Sequence, residues 1–454
     1  MTPPHTAAST SSAARRRSLA NGHYIEAREY DYIVAHRAQR GSCRVVPDAD
    51  FKALREFVLR NLEGNGATEL MRLCSPPGIG EALQLQNYVG VLELQSGLQI
   101  EVLPKIDVGE ERRVREVFLR MLAELGPDTS FKSMSGAHVS SGDMPLFEVF
   151  VTMFLDECST LVRRGLRSAY SEVRSREPVV RGKIDFARQV RENPAHAEIL
   201  NLVHQEYNLD RPENRIVKTT LRLLRSRSRS ADNVRRAAQL LDALDGVSYS
   251  LNVDADFSRC VTDRTTRGYE TLLGWCRVFL RGESFSMFRG GSVAMALLFP
   301  MERVFEEYVG KTLRKTALSG GVLRSVELQA RGKWLFDGHR VPLRPDILCV
   351  SNGGCHVVLD TKWKRVSGPR DLTVSDMHQM YAYGRRYRGK DEVQHVILLY
   401  PWHDEVKRRG LLRSGRHVSP DGVQVDMFFV DLGNMDKSVS DLIALLADPS
   451  VLEG

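Results

Sequence analysis

The segment RPDILCVSNGGCHVVLDTKWK, Arg344 to Lys364, sets Asp346 at the head of one apolar run. It sets Asp360, with Lys362 two residues on, at the end of the next. Side chains two apart on a strand point to the same face, so Asp360 and Lys362 share one. If the two strands pair as neighbours, two carboxylates and an ammonium converge. Carboxylates held that close repel, and one takes a raised pKa unless a divalent cation lies between them. Mg²⁺ suits such a place, with Mn²⁺ as a substitute, because it takes a few carboxylate oxygens and completes its shell with water and substrate phosphate. A cation there polarises a scissile phosphate and acidifies bound water. A lysine beside it can hold the attacking water or meet charge growing at phosphorus. These residue types therefore suit metal-assisted phosphodiester hydrolysis. A lone Asp-x-Lys carries little, since average composition yields about one by chance in a chain this long. The plain alternative is a surface salt bridge between strand-end groups, with Lys362 structural.

From Gly291 onward the spacing predicts a helix over Val293–Lys315, then the strands RVPLRPDILCV and CHVVLDTKWK. The turn Ser351-Asn352-Gly353-Gly354 separates these strands. A helix over Asp371–Tyr387 and an apolar strand, HVILLYP, follow. Strands apolar on both faces that alternate with helices belong to a sheet covered on each side. Upstream, YVGVLELQSGLQIEVLPKI alternates about Ser96-Gly97 as a hairpin does, with Leu92, Leu94, Leu98, Ile100 and Val102 on one face. Asp48–Asn61 has helical spacing with aspartate at its start. Between Glu110 and Arg281 the pattern is mostly helical, including a helix opened by RPENRIV that buries Ile216, Val217, Leu221 and Leu224. Arg222, Arg225, Arg227 and Arg229 make its end basic. A solvated face is the plain account of them, and phosphate contact the other.

At 454 residues, with 42% hydrophobic and 27% charged residues, the chain has material for two or three globular domains. The longest apolar run, Val293–Met301, is far too short to span a bilayer. A formal charge of +7 leans mildly toward a polyanionic partner. The 7 cysteines are odd in number and scattered without a Cys-x-x-Cys pair, which fits reduced thiols in a cytoplasmic protein. Residues 1–22 read as a disordered tail, 23–108 as a β-rich module, 109–290 as a helical middle and 291–454 as the domain holding the acids. The Ser/Thr/Ala-rich tail with its Arg triplet also shares the signature of an organelle transit peptide.

The order Pro-Asp on an apolar strand, turn, then apolar-Asp-x-Lys, with an acidic helix upstream, resembles the PD-(D/E)xK nuclease core. In that core the upstream helix often supplies a further acid. MERVFEEYV offers Glu302, Glu306 and Glu307, and Glu306, after Phe305, is the choice. The resemblance thus implies Asp346, Asp360 and Glu306 as metal ligands. Gln379 and Tyr383, four apart on one helical face, resemble the Gln-x-x-x-Tyr motif of RecB-like members, which would orient the lysine, the water or the DNA backbone. Without that likeness Tyr383 reads as core.

Several stretches are similar to McrC, the nuclease subunit of the McrBC modification-dependent restriction system: NYVGVLELQSGLQIEVLPKI, VVRGKIDFARQV, EYNLDRPENRIVKTTLRLL, LLFPMERVFEEYV and the RPDI…LDTKWK…QMYAY block. The family implies an α/β chain (α+β overall) with a restriction-endonuclease-like C-terminal domain. It implies docking on a hexameric ring of the AAA+ GTPase McrB, stimulation of GTP hydrolysis and cleavage of double-stranded methylated DNA. McrB, not this chain, would read the methylated base. In agreement, no G-x-x-x-x-G-K-[ST] occurs, and Gly310-Lys311-Thr312 lies inside the acidic helix. By the same resemblance the N-terminal module, 23–108, which holds the hairpin over Leu92–Val102, would insert into the ring; Lys105 is conspicuous there, with a structural role as the alternative. A free-standing RecB-like repair nuclease and a non-catalytic activator of an AAA+ partner are the competing readings.

Overall fold

The computed structural model describes residues 24–35, 42–60, 70–125, 143–192, 198–260, 267–281, 293–336, 341–387, 394–409 and 413–447. The expected tail, 1–22, lies outside them. The chain forms two compact units: Met1–Leu146 with Ser284–Gly454, and Phe147–Glu283.

In the first unit, the segments that precede and follow the second unit share a sheet. Its strand order is Tyr24–Arg28, Gln99–Leu103, Tyr88–Leu94, Val293–Pro300. The hairpin expected about Ser96-Gly97 is its centre: Leu94 N donates to Leu98 O at 2.9 Å and Gly97 takes the left-handed φ of +85° that the turn requires. The helix expected over Val293–Lys315 is instead a strand, Val293–Pro300, followed by a helix, Met301–Ser319. An unbroken apolar run suits a buried strand as well as a helix. Here the antiparallel partner Tyr88–Leu94 settles it, and Pro300 sits at the break as the helix N-cap with extended backbone.

Gly90 sits in that pairing at φ +139°, and a Cβ there would lie 1.9 Å from Leu297 O. Neither the backbone angle nor the space admits a side chain. Gly90→Ala should therefore lower stability by about 3 kcal/mol, read as a shifted denaturant midpoint. A midpoint within error of wild type would show that the two segments do not depend on this contact.

The second sheet of this unit has six strands in the order Leu323–Leu328, Ile347–Ser351, His356–Thr361, Gln394–Pro401, Val423–Val430, Arg413–Val418. The three strands from His356–Thr361 to Val423–Val430 run parallel, and the flanking pairs are antiparallel. Every position of Val423–Val430 is buried, as a strand covered on both faces must be. The helix Val374–Arg386 packs Met380 and Tyr383 against Val358, Val396, Leu398 and Met427. Helices Met301–Ser319 and Met435–Ala447 pack on each other and on the sheet.

The second unit holds the helices Leu146–Arg164, Pro212–Arg227, Ala231–Ala243 and Glu270–Arg281. It is less helical than its sequence suggests, because Ala169–Glu177, Leu200–Asn208 and Lys183–Ile184 form an antiparallel sheet. AYSEVRSRE has few apolar residues, so its strand character comes from its partner rather than from burial. Ile216, Val217, Leu221 and Leu224 are buried as expected. Polar anchors fix the helix ends: Glu148 accepts from Arg229 N at 2.6 Å and Asn233 Nδ2 at 2.9 Å. Buried Lys218 Nζ donates to Leu244 O at 2.9 Å and Val247 O at 2.7 Å. Within the basic stretch, Arg222 stacks on the Tyr249 ring at 4.0 Å, Arg235 pairs with Asp232 at 2.5 Å, and Arg236 pairs with Asp156. Much of that charge is thus spoken for.

Candidate active site

Ile347–Ser351 and His356–Thr361 pair antiparallel, with Ile347 opposite Leu359. That register sets Asp346, just before the first strand, across from the end of the second. Thr361 donates to Asp346 Oδ2 from both its backbone N and its Oγ1, each at 2.7 Å. Asp360 is 2% exposed, and Lys362 Nζ lies 2.7 Å from its Oδ2. The ammonium also donates to Gln379 Oε1 at 3.1 Å. Gln379 Nε2 in turn donates to the Tyr383 hydroxyl at 2.9 Å, and that hydroxyl donates to Arg344 O at 3.1 Å. The helix thus fixes the lysine through the glutamine and the Pro-Asp segment through the tyrosine. Tyr383 is also buried in the core of this sheet.

Of the three glutamates on Met301–Ser319, only Glu306 turns to these acids. Glu302 accepts from Asn87 at 3.1 Å, and Glu307 pairs with Arg303 and Lys311. Burial pushes the Glu306 carboxyl up to about 8, with Asp346, Glu307 and Asp360 adding repulsion. Burial and then Asp346 push Asp360 up to about 7, against the pull of Lys362. Burial works against the Lys362 ammonium, yet Asp360 holds its pKa above the usual lysine value. The cluster is electrostatically frustrated: more negative charge than one lysine offsets, held where water is scarce.

A cleft of about 980 Å³ opens at Glu306 and Asp346, with Arg303, Gln329, Arg344 and the Gln86–Tyr88 segment among its walls. Cations and amides thus stand beside half-buried acids along its walls. Among the described residues no three His, Cys, Asp or Glu side chains form a ready-made metal cage. Gln329 donates to Glu306, and Lys362 and Thr361 cover oxygens of Asp360 and Asp346. Two carboxylates suffice for Mg²⁺, which keeps several waters, so the donor set fits with Asp346 and Asp360 as its centre.

Sequence reasoning missed Thr361, Gln329, Arg344 and the pair Glu29–Trp363. Gln329 is a non-glycine residue at φ +53°, a costly conformation that places its amide on Glu306. Glu29 is fully buried and accepts from Trp363 Nε1 at 2.8 Å and Lys105 N at 2.9 Å, tying the N-terminal segment to the residue beside Lys362. No local pattern could have announced a contact between positions so far apart. Lys105 acts there through its backbone, while its ammonium lies 5.8 Å from the Tyr30 ring centre. The strands of the hairpin over Leu92–Val102 are buried and paired on both edges, while its turn residues Gln95 and Ser96 are exposed.

No curated protein sequence matches the chain significantly. Among solved structures, a chain of the refined half-complex from the tetradecameric assembly of Thermococcus gammatolerans McrB AAA+ hexamers with bound McrC aligns with a TM-score of 0.65. It shares 16% identity and covers 92% of this chain and 100% of that chain. At that identity the likeness speaks for the fold. A chain of the Thermococcus gammatolerans McrBC complex aligns at a TM-score of 0.45 and 19% identity, covering 64% of this chain and 87% of that one. A family model for the McrBC 5-methylcytosine restriction system component matches residues 83–401. That span runs from the hairpin sheet through both acid-bearing strands to the end of Gln394–Pro401, and with it the chain belongs to the McrBC 5-methylcytosine restriction system component family.

Proposed function

We propose that this chain is the endonuclease subunit of a McrBC-type restriction complex, with a PD-(D/E)xK core that hydrolyses DNA phosphodiesters. The observation that carries this reading is the meeting of Asp346, Asp360 and Lys362 on paired strands, with Gln379 holding the ammonium at 3.1 Å. Asp346 and Asp360 would hold Mg²⁺, and Glu306 would join or orient a water once Gln329 yields. The bound cation would supply charge neutralisation at the phosphate and a more acidic water. Lys362 would orient the attacking water and meet charge growing on phosphorus. Arg344 and Arg303 would draw the backbone into the cleft.

The partner suggested by the family and by the Thermococcus gammatolerans assembly is a McrB-type AAA+ GTPase ring, whose GTP turnover this chain would stimulate. The N-terminal module, whose hairpin turn exposes Gln95 and Ser96, would dock on that ring. The sheet of the second unit offers a further surface: Tyr170 and Tyr207 lie side by side at 5.1 Å and are 73% and 63% exposed, and Phe186 and Val190 are also exposed. Apolar surface of that kind marks an interface.

The test is reconstitution with a McrB-type ring, GTP and methylated duplex: cleavage should require Mg²⁺ and stop with chelator. No cleavage under these conditions, with GTP turnover still accelerated, would leave only a non-catalytic activator. Robust cutting by this chain alone would leave a free-standing nuclease. The raised carboxyl pKa values add a pH signature. Protons compete with the cation for Asp360 and Glu306, so below pH about 7 the Mg²⁺ needed for half-maximal cleavage should rise, by about tenfold per pH unit for each proton displaced. A Mg²⁺ requirement flat from pH 6 to 8 contradicts metal binding by these acids.

A further inference from the structure

We propose that the short ribbon formed by Lys333–Trp334 and Pro342–Leu343 is a DNA grip at the cleft mouth, with Trp334 as its stacking residue and Lys333 as its phosphate contact. The proposal rests on the nuclease reading and adds where the duplex is held outside the acids. The ribbon springs directly from the cleft. Gln329, four residues before Lys333, and Arg344, directly after Leu343, both line it.

Two residues per strand cannot hold a ribbon in shape unaided, and this one is tied down from behind. Arg386 Nε donates to Trp334 O at 2.6 Å, the Tyr387 hydroxyl to Leu343 O at 2.9 Å, and the Tyr383 hydroxyl to Arg344 O at 3.1 Å. The helix that positions Lys362 through Gln379 therefore also fixes the ribbon backbone. Leu343 faces the core, while the other ribbon side chains are offered to solvent. Trp334 is 40% exposed, Phe336 59% and Val341 46%, and Arg331, Lys333 and Arg344 are exposed as well. A rigid backbone presenting exposed aromatics is a binding device rather than a core fragment.

Charge chooses the occupant. The described residues 330–336 and 341–345 carry Arg331, Lys333 and Arg344 and no carboxylate. Cationic side chains meet duplex phosphates, and an exposed apolar ring beside a groove can wedge into a base step and stack on the bases it parts. The ribbon is continuous with the cleft through which the same backbone must pass.

The test uses the full chain with Ca²⁺ in place of Mg²⁺ and a fluorescein-labelled duplex, followed by anisotropy over a range of salt. Trp334→Ala should weaken binding about tenfold with little change in salt slope, and Trp334→Phe should restore most of it. Lys333→Ala should lower the slope by about one. Trp334 is exposed, so thermal unfolding of these variants should match wild type. Cleavage by the reconstituted wild-type complex with Mg²⁺ is read separately: its absence would sink the nuclease reading and leave the binding result standing. Wild-type duplex affinity in Trp334→Ala overturns the proposal. So does loss confined to association with a McrB-type ring or with a second copy of this chain, and so does a wild-type chain that binds no duplex.

Discussion

Lys362→Ala and Asp360→Asn, each reconstituted with a McrB-type ring, should leave methylated duplex uncut while accelerating GTP turnover as wild type does. Removing one group that faces charge growing in a transition state costs about 10²–10³ in rate. Removing Asp360 also takes away half of the carboxylate pair. Neither residue belongs to the surfaces proposed for the ring, so ring stimulation should survive. Stability distinguishes this reading from a structural salt bridge. Asp360 is 2% exposed, and burial with Asp346 repulsion raises its pKa to about 7. A carboxyl with a raised folded pKa favours folding while it is protonated, below its ordinary pKa, and that contribution is lost as pH rises through about 7. At pH 8 and without metal, Asp360→Asn should therefore melt higher than wild type, and the difference should vanish near pH 4. A simple ion pair gives the opposite sign. Cleavage by either variant within tenfold of wild type would remove Asp360 and Lys362 from the chemistry.

What could be read in advance follows the range of the interactions. The hairpin at Ser96-Gly97, the buried face of Pro212–Arg227 and the pairing of the two acid-bearing strands all come from patterns within some twenty residues. Each appears in the structure. Lys362, Gln379 and Tyr383 could be linked because strand and helix periodicity already fixed their faces. Val293–Pro300 was hidden because eight apolar residues fit two secondary structures, and only a partner some two hundred residues earlier decides. Glu93, Gln99 and Glu101 alternate as a solvent face would, yet all three are buried. Their polarity is answered by Gln99 donating to Glu93 at 3.3 Å and by Arg115 on a separate helix. Alternation reports which residues share a face, not whether water covers it. Glu29–Trp363 shows the same limit at the site, since a buried carboxylate is understood only once its donors are known.

Arg115→Ala should cost about 3–5 kcal/mol of stability, because it strands a charge that the fold has no other way to answer. Arg115 Nε lies 2.6 Å from Glu101 Oε1, and its Nη2 pairs with Glu26. Glu101 is 0% exposed, in the centre of the hairpin sheet. Its second oxygen accepts from the Tyr24 hydroxyl at 2.9 Å and from Leu146 N at 2.8 Å. One guanidinium thus joins the first strand, the hairpin and the helix Glu111–Ala123. Without it the two neutral donors remain, and they cannot replace a full positive charge in low dielectric. Burial already raises Glu26 to about 7, with Arg115 opposing. Loss of Arg115 therefore leaves the Glu26 carboxyl favouring the proton more strongly. The folded variant binds protons more tightly than its unfolded chain, so its stability falls as pH rises. The deficit against wild type should be smaller at pH 5 than at pH 8. Arg115→Met with Glu101→Gln should recover part of the loss, since an amide still accepts from Tyr24 and Leu146 without carrying charge. A deficit under about 1 kcal/mol at pH 8, the range of an exposed ion pair, would show that Glu101 finds water or another cation in the folded protein.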